Sequence, residues 1–285
     1  MTGAGRGLGR QYALMLADNG ANVVVNDFGG ARDGTGGDVG PAQQVVDEIT
    51  AGGGTAVAHV GDVSSIADAE AMVRLAVDTY GRLDVLVNNA GILRDRMLFS
   101  MTEDEWDAVI KVHLKGTWAP SRVAADHWRS RAKAGESTDG RLINTTSISG
   151  LFGNPGQTNY GAAKAGIAAF TLIAAEELGR YGVTVNAVAP GALTRLTEDL
   201  ALPDAMREGW GPEWVAPVVT WLASTDSADV TGQVIESSGH ILGIAEGWRR
   251  GPHVDHPPTE PTDVGTLVRD LLARATPRTK MSDVF

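Results

Sequence analysis

The stretch "MTGAGRGLGR" (residues 1–10) carries Gly3, Gly7 and Gly9 in the spacing G-x-x-x-G-x-G. A pyrophosphate can approach a main chain only where no Cβ intervenes, and a helix starting around Gly7 would turn its positive end toward that anion. On this reading Gly3, Arg6, Gly7, Leu8 and Gly9 form a phosphate cradle. A plain glycine turn before a helix would read the same way, so the stretch alone is a weak signal. Such a loop normally sits at the tip of a β-strand. Here it begins at the second residue with no strand before it.

Downstream, short β-branched runs alternate with helical stretches: "ANVVVND" (21–27), "PAQQVVDEITAGG" (41–53), "TAVAHVGDV" (55–63), "IADAEAMVRLAVDTYG" (66–81) and "LDVLVNNAG" (83–91). The rhythm continues through "DEWDAVIKVHLKGTW" (104–118), "GRLINTTS" (140–147), "YGAAKAGIAAFTLIAAEELGRYG" (160–182) and "VTVNAVAPG" (183–191), with "VTGQVIESSG" (230–239) as a last strand. Such alternation predicts βαβ units and a parallel sheet. Periodicity stops at "GWRRGPHVDHPPTEPT" (247–262), after which Val264, Leu267, Val268, Leu271 and Leu272 share one helical face, with Thr262 placed to cap it. The expected organisation is a dinucleotide-binding domain over 1–246 and a tail over 247–285 bearing a docked amphipathic helix.

Composition bounds the rest. With 285 residues, 43% of them hydrophobic, the chain can fill a sizeable core. A net charge of −11 argues against binding nucleic acid or an anionic membrane through bulk electrostatics. No apolar run approaches about 18 residues, and the absence of cysteine rules out disulfides, thiolate metal sites and thiol nucleophiles. A soluble, cytoplasmic protein is expected.

Asp27 closes the "NVVVND" run about 20 residues after the glycines, where a carboxylate can accept from both hydroxyls of an adenosine ribose and repel a 2′-phosphate. Arg6 pulls the other way, since a guanidinium there could pair with that phosphate. The balance favours NAD over NADP. Tyr160 and Lys164 stand one helical turn apart on one face, where an ammonium would favour the phenolate and let a phenol act at neutral pH. Ser147, at the end of a strand, could hydrogen-bond the same substrate oxygen. Taken alone, the Tyr/Lys spacing is also that of an ordinary surface pair.

Together these residues resemble the short-chain dehydrogenase/reductase family: T-G-x-x-x-G-x-G at Thr2–Gly9, "NNAG" at Asn88–Gly91, Ser147, Y-x-x-x-K at Tyr160–Lys164, and Pro190-Gly191. The expected fold is therefore α/β, a doubly wound parallel sheet of Rossmann type lacking its first strand. Within the superfamily the text is most similar to the (3R)-hydroxyacyl-CoA dehydrogenase domain of the peroxisomal multifunctional β-oxidation enzyme and its actinobacterial relatives. "VVVNDFGG", the glycine-rich insert after it, "NNAGILRDRM", "VHLKGTW" and "GNPGQTNYGAAKAG" carry that likeness. Relatives with the ending "AEGWRRGP" are associated with sterol and bile-acid side-chain degradation.

The resemblance implies NAD-dependent oxidation of a secondary alcohol on a 3-hydroxyacyl-CoA or sterol-derived thioester. Tyr160 would exchange the proton, Ser147 would polarise the oxygen, and Lys164 would bind the nicotinamide ribose. Asn89, Ala90 and Gly91 would line the adenosine side, Asp62 and Val63 the adenine, and Thr194 after Pro190 the carboxamide. His113 stands where most of the superfamily has an asparagine that steadies a relay water; an imidazole could serve that relay, or be a core histidine satisfied by a carbonyl. Alternatives are an NADPH-dependent 3-oxoacyl reductase, a hydroxysteroid dehydrogenase, and a non-catalytic dinucleotide-binding protein.

Arg94 and Arg96 could meet coenzyme A phosphates or pair with Asp95 or Glu103. Ala162, Ala163, Gly166, Ala169 and Phe170 form a helix face that relatives bury against a second subunit, which implies a homodimer or homotetramer; contact with their own sheet is the other reading. The loop "LTRLTEDLALPDAMREGWGPEW" (193–214) is short, suggesting an open mouth. Met1 occupies the place of a strand-ending valine in relatives, so the chain is expected to begin naturally one strand earlier. Losing about four buried aliphatic side chains would forfeit roughly 6 to 12 kcal/mol, against a typical domain stability of about 5 to 15. A protein beginning at Met1 is accordingly expected to fold marginally, with its glycine loop poorly anchored.

Overall fold

The computed structural model describes residues 1–38, 40–192, 210–256 and 258–284. They form two compact units, Met1–Ala245 and Glu246–Phe285. In the first unit, β1 (Asn22–Asn26) pairs in parallel with β2 (Thr55–His59). A second sheet runs in the order β3 (Val85–Asn88), β4 (Gly140–Thr145), β5 (Val183–Pro190), β6 (Val234–Ser237) and β7 (Leu242–Ile244). All its pairings are parallel except the last: β7 returns antiparallel along β6, an edge strand the sequence reading does not anticipate.

Residues 1–4 stand between the two sheets. The Met1 amine donates to Val24 O at 2.8 Å, Asn26 N–H donates to Met1 O at 3.0 Å, and Thr2 N–H donates to Val87 O at 2.9 Å. One end of the gap between β1 and β3 is thus laced by main chain, and the core runs across it. Val23 and Val25 from β1, Val87 from β3 and Ile143 from β4 belong to one buried cluster with Tyr12 and Leu222.

That cluster lies under α1 (Gly7–Asp18), α2 (Gly40–Ala51) and α7 (Ala216–Ala223). Val24, Leu86, Leu142 and Val185 turn to the opposite face with Met72, Trp128 and Ala174, under α3 (Ile66–Tyr80), α5 (Gly116–Lys133) and α6 (Thr158–Leu178). Neighbouring strand residues alternate between faces, so near-continuous apolar strands bury both sides, as a sheet with helices on each face requires.

Local chemistry fixes the helix ends. Ser65 accepts from the Asp68 amide before α3, which ends on Gly81 at φ +81°. Thr102 and Glu105 form a reciprocal capping box at α4 (Glu103–Ile110). Between α4 and α5 the chain takes a π-helical turn, Lys111–Lys115, that carries His113; a second spans Ser149–Gly153. Such turns cluster at functional sites.

In the second unit, α8 covers Pro261–Arg274. The expected cap at Thr262 is corrected: the N-cap is Glu260 and the helix starts two residues earlier than that cap would place it, because Pro261 lacks an N–H and its fixed φ suits the first helical position.

Candidate active site

The glycine loop is fastened on three sides. Thr2 Oγ1 accepts from the Asn89 and Ala90 amides at 3.0 and 3.2 Å, and Asn89 Nδ2 donates to Thr2 O and Gly3 O at 3.2 and 2.9 Å. Asp27 accepts from Gly5 N–H at 2.8 Å and from Gly29 N–H at 2.7 Å. The expectation of a poorly anchored loop is therefore corrected: side chains from β3 and β1 hold it. Gly3 sits at φ +60°, and a Cβ there would stand 2.7 Å from Ala90 Cα. Gly5, which the sequence reading overlooked, is equally confined, with Pro41 Cβ and Asp27 Oδ2 at 2.7 and 2.8 Å from an added Cβ. The signal was present in its position within the loop but absent from the three-glycine spacing.

Helix α1 begins at Gly7, as expected, and Leu8 packs against the core below. Arg6 donates to Gly30 O at 3.2 Å. Asp62 accepts from Ser64 N–H and Oγ–H at 2.9 and 2.6 Å and pairs with Lys111 at 3.0 Å. Burial opposes its charge, but Ser64 and Lys111 outweigh it, and the carboxyl lies below its usual range. Asp62 and Val63 line a small recess with Asn26, His59 and Met72.

At the catalytic end, β4 delivers Thr145, Thr146 and Ser147 beside α6. Lys164 Nζ donates to Thr145 O at 2.6 Å, and Thr146 Oγ1 donates to Lys164 O at 2.7 Å. The ammonium lies 5.5 Å from the centroid of the Tyr160 ring. Burial draws Lys164 down to about 7. It pushes the Tyr160 phenol up to about 12 against the hydrogen bond from Ser147, with Asp95 adding to the rise. The lowering contact is thus Ser147 rather than the lysine, whose Nζ is engaged by a carbonyl.

His113 is brought to the same place. Its ring stands edge-on to Tyr160, centroids 5.1 Å apart at 89°. Nε2 lies 2.8 Å from Ile92 O and 3.1 Å from Ile92 N, and Nδ1 is buried with no hydrogen-bond partner among the described residues. Burial and the Lys164 charge hold the imidazole down at about 3, the Ile92 carbonyl notwithstanding, so it is neutral at pH 7. One ring nitrogen is thus met by main chain, and the other has no partner among the described residues. Gly91 gives the ring room, since a Cβ there would stand 2.4 Å from His113 Cε1. Behind the site, Asn88 Nδ2 reaches Ser121 Oγ and Asn144 Oδ1 at 2.8 and 3.0 Å, a buried polar seam that no spacing in the sequence revealed.

Pro190 ends β5, with Gly191 N–H donating to Ser237 O at 2.8 Å; Thr194 lies outside the described residues. Arg96 pairs with Glu105 at 2.9 Å, not with Asp95 or Glu103, because the capping box places Glu105 beside it. Arg94 bonds main-chain oxygens. The expected intersubunit face of α6 divides: Ala163 is fully buried and Phe170 packs on the core, while Ala162 and Ala169 are exposed. At about 100° per residue the five positions share an arc of about 120°, graded from exposed at Ala169 and Ala162 to buried at Ala163. Among the described residues no helix is long and apolar enough to cross a membrane.

Comparison with known proteins agrees with this geometry. The chain is 45% identical over 299 residues to the hydroxyacyl-CoA dehydrogenase ChsB1 of Mycobacterium tuberculosis, covering 99% of this chain and 90% of that one. It is 42% identical over 248 residues to the peroxisomal multifunctional enzyme type 2 of Mus musculus, covering 87% of this chain and 31% of the mouse protein. The crystal structure of a short chain dehydrogenase from Mycobacterium avium superposes with a TM-score of 0.88 at 50% identity, covering 98% of this chain and 95% of that one. The sequence model of the short chain dehydrogenase family matches residues 1–201. With that match falling on the glycine loop and on the Ser147, Tyr160 and Lys164 cluster, the chain belongs to the short-chain dehydrogenases, oxidoreductases that use a nicotinamide dinucleotide.

Proposed function

We propose that the protein oxidises the secondary alcohol of a 3-hydroxyacyl-CoA, or of a sterol-derived hydroxyacyl-CoA, using NAD. The observation that carries the reaction is the convergence of Ser147, Tyr160 and Lys164 where β4 meets α6. The substrate class rests on the relatives named hydroxyacyl-CoA dehydrogenase and peroxisomal multifunctional enzyme. A dinucleotide fits the residues present: the glycine loop offers main chain that a Cβ would obstruct, and Asp27 stands beside it. Asp27 supports NAD, and Arg6, the group that would favour NADP, is turned to a carbonyl.

A bound nicotinamide supplies the hydride acceptor. Tyr160 Oη, as the phenolate formed when its own proton passes to a neighbouring base, takes the proton of the substrate hydroxyl, and Ser147, bonded to the phenol, polarises the same oxygen. Lys164, near 7, is the neighbouring group able to take or give a proton at neutral pH. His113 Nδ1 adds a neutral acceptor beside the phenol ring. Gly3, Arg6, Gly7, Leu8, Gly9, Asp62, Val63, Asn89, Ala90, Gly91, Pro190 and Thr194 complete the nucleotide site in this reading. A homodimer or homotetramer through the α6 face of Ala162, Ala163, Gly166, Ala169 and Phe170, and a cytoplasmic setting, belong to it.

The test is turnover with NAD and NADP across straight-chain and steroid-linked 3-hydroxyacyl-CoA thioesters and free alcohols. NAD with a thioester should prevail. If free alcohols outrun every thioester, the coenzyme A reading is wrong.

A further inference from the structure

We propose that Arg94 is a positioning residue that ties the adenosine end of the nucleotide site to the loop flanking Tyr160. The proposal rests on the nucleotide reading above. Its first link is Asp27, whose carboxylate holds both the glycine loop, through Gly5 N–H, and the start of the glycine-rich insert, through Gly29 N–H. Ribose hydroxyls reaching Asp27 must share that carboxylate with the Gly29 amide, so occupancy acts directly on the insert. Arg6 Nη1 ties the next residue of the insert, Gly30, back to the same loop.

The far side of the insert grips the active-site loop. Leu93 N–H donates to Arg32 O at 3.1 Å, and Arg94 Nε donates to Asp33 O at 2.8 Å. A Cβ added at Gly34 would stand 3.1 Å from Ile92 Cδ1, so the Ile92 side chain packs against this turn of the insert. Arg94 then reaches two further elements: Nη1 lies 3.4 Å from Asp104 O in α4, and its own carbonyl accepts from Asn159 Nδ2 at 2.9 Å. Asn159 is fully buried and accepts from Tyr160 N–H at 2.7 Å. The neighbouring Ile92 holds His113 Nε2. Arg94 is therefore bonded to both the insert and α4 through its side chain, while its carbonyl is bonded to the helix of Tyr160.

Among the described residues its guanidinium donates to main-chain oxygens on two elements, which fixes their relative position. A guanidinium fork can hold two carbonyls on different elements, whereas a lysine is a point donor able to satisfy one.

The test is amide hydrogen exchange with and without ADP, which supplies adenosine ribose and pyrophosphate and nothing of the nicotinamide half. In the wild type, ADP should slow exchange of the Leu93 amide by about tenfold, a modest coupling between sites. Arg94→Ala should bind ADP within about threefold of wild type yet lose that slowing, and kcat with saturating NAD should fall by about tenfold. Arg94→Lys should recover part of both. ADP that binds wild type without altering Leu93 exchange overturns the proposal, a comparison that needs no variant to fold. So does retention of the ADP effect in Arg94→Ala. ADP that fails to bind at all overturns the nucleotide reading itself, and the proposal with it.

Discussion

His113 meets the Tyr160 ring edge-on at 5.1 Å between centroids, while its Nδ1 faces no hydrogen-bond partner among the described residues. A buried ring nitrogen left open beside the phenol proposed to move the proton is costly unless something uses it. Replacing His113 by Ala should lower kcat by about 10- to 100-fold, within the range of a proton-transfer contribution, and His113→Asn should restore part of it. Because the imidazole is held at about 3, the wild-type kcat profile should show no inflection near 6.5 that disappears in His113→Asn. Steady-state rates from pH 5 to 9 check both statements.

Lys164 gives a stability signature with a definite sign. Its folded value lies near 7, below the ordinary 10.5, so between those limits the unfolded chain binds more protons. Unfolding free energy should rise with pH across that window, with a slope of up to about 1.4 kcal/mol per pH unit. Lys164→Met should abolish turnover, gain about 1 kcal/mol at pH 7 and flatten the slope. Urea unfolding of both proteins at pH 7, 8 and 9 checks this; an equally steep slope in the variant assigns it to another group.

Asp27 holds two backbone amides as well as its place beside the expected ribose. Asp27→Ala should weaken NAD by about tenfold or more, in line with loss of a charge-assisted hydrogen bond, and relax discrimination against NADP. Asp27→Asn, which keeps one acceptor oxygen, should lie between. Titration of each variant with NADH and NADPH reads the ratio, and an unchanged ratio moves the selector elsewhere.

What the sequence made legible divides by range. The parallel α/β architecture follows from apolar runs such as Val23–Val25 and Val85–Val87, whose burial on both faces is a local property of composition. Helix starts at Gly7 and after Ser65 were equally local. The meeting of Ser147, Tyr160 and Lys164 depends on strand and helix ends converging, yet their motifs announced it. The antiparallel β7 did not announce itself, because "LGI" is a three-residue edge without alternation. Nor did the contacts of Arg94, since its guanidinium reaches the main-chain oxygens of Asp33 and Asp104, and its own carbonyl accepts from the Asn159 side chain far along the sequence. The anchoring of residues 1–4 was misjudged for a similar reason: Asn89 and Asp27 hold the loop through amides and carbonyls that no residue pattern encodes.

The most direct test of the account is the Tyr160→Phe variant, assayed for NADH formation on a 3-hydroxyacyl-CoA and titrated separately with NADH. The ring packs at the site while the hydroxyl, bonded to Ser147, is the atom that moves the proton. Turnover should fall by about 10³-fold or more, the scale of a lost general acid–base group together with its oxygen contact, while NADH affinity stays within about threefold, as expected when binding contacts are retained. Retention of more than about a tenth of wild-type turnover would contradict the account, because that is less than general acid–base catalysis contributes, and another group would then carry the proton.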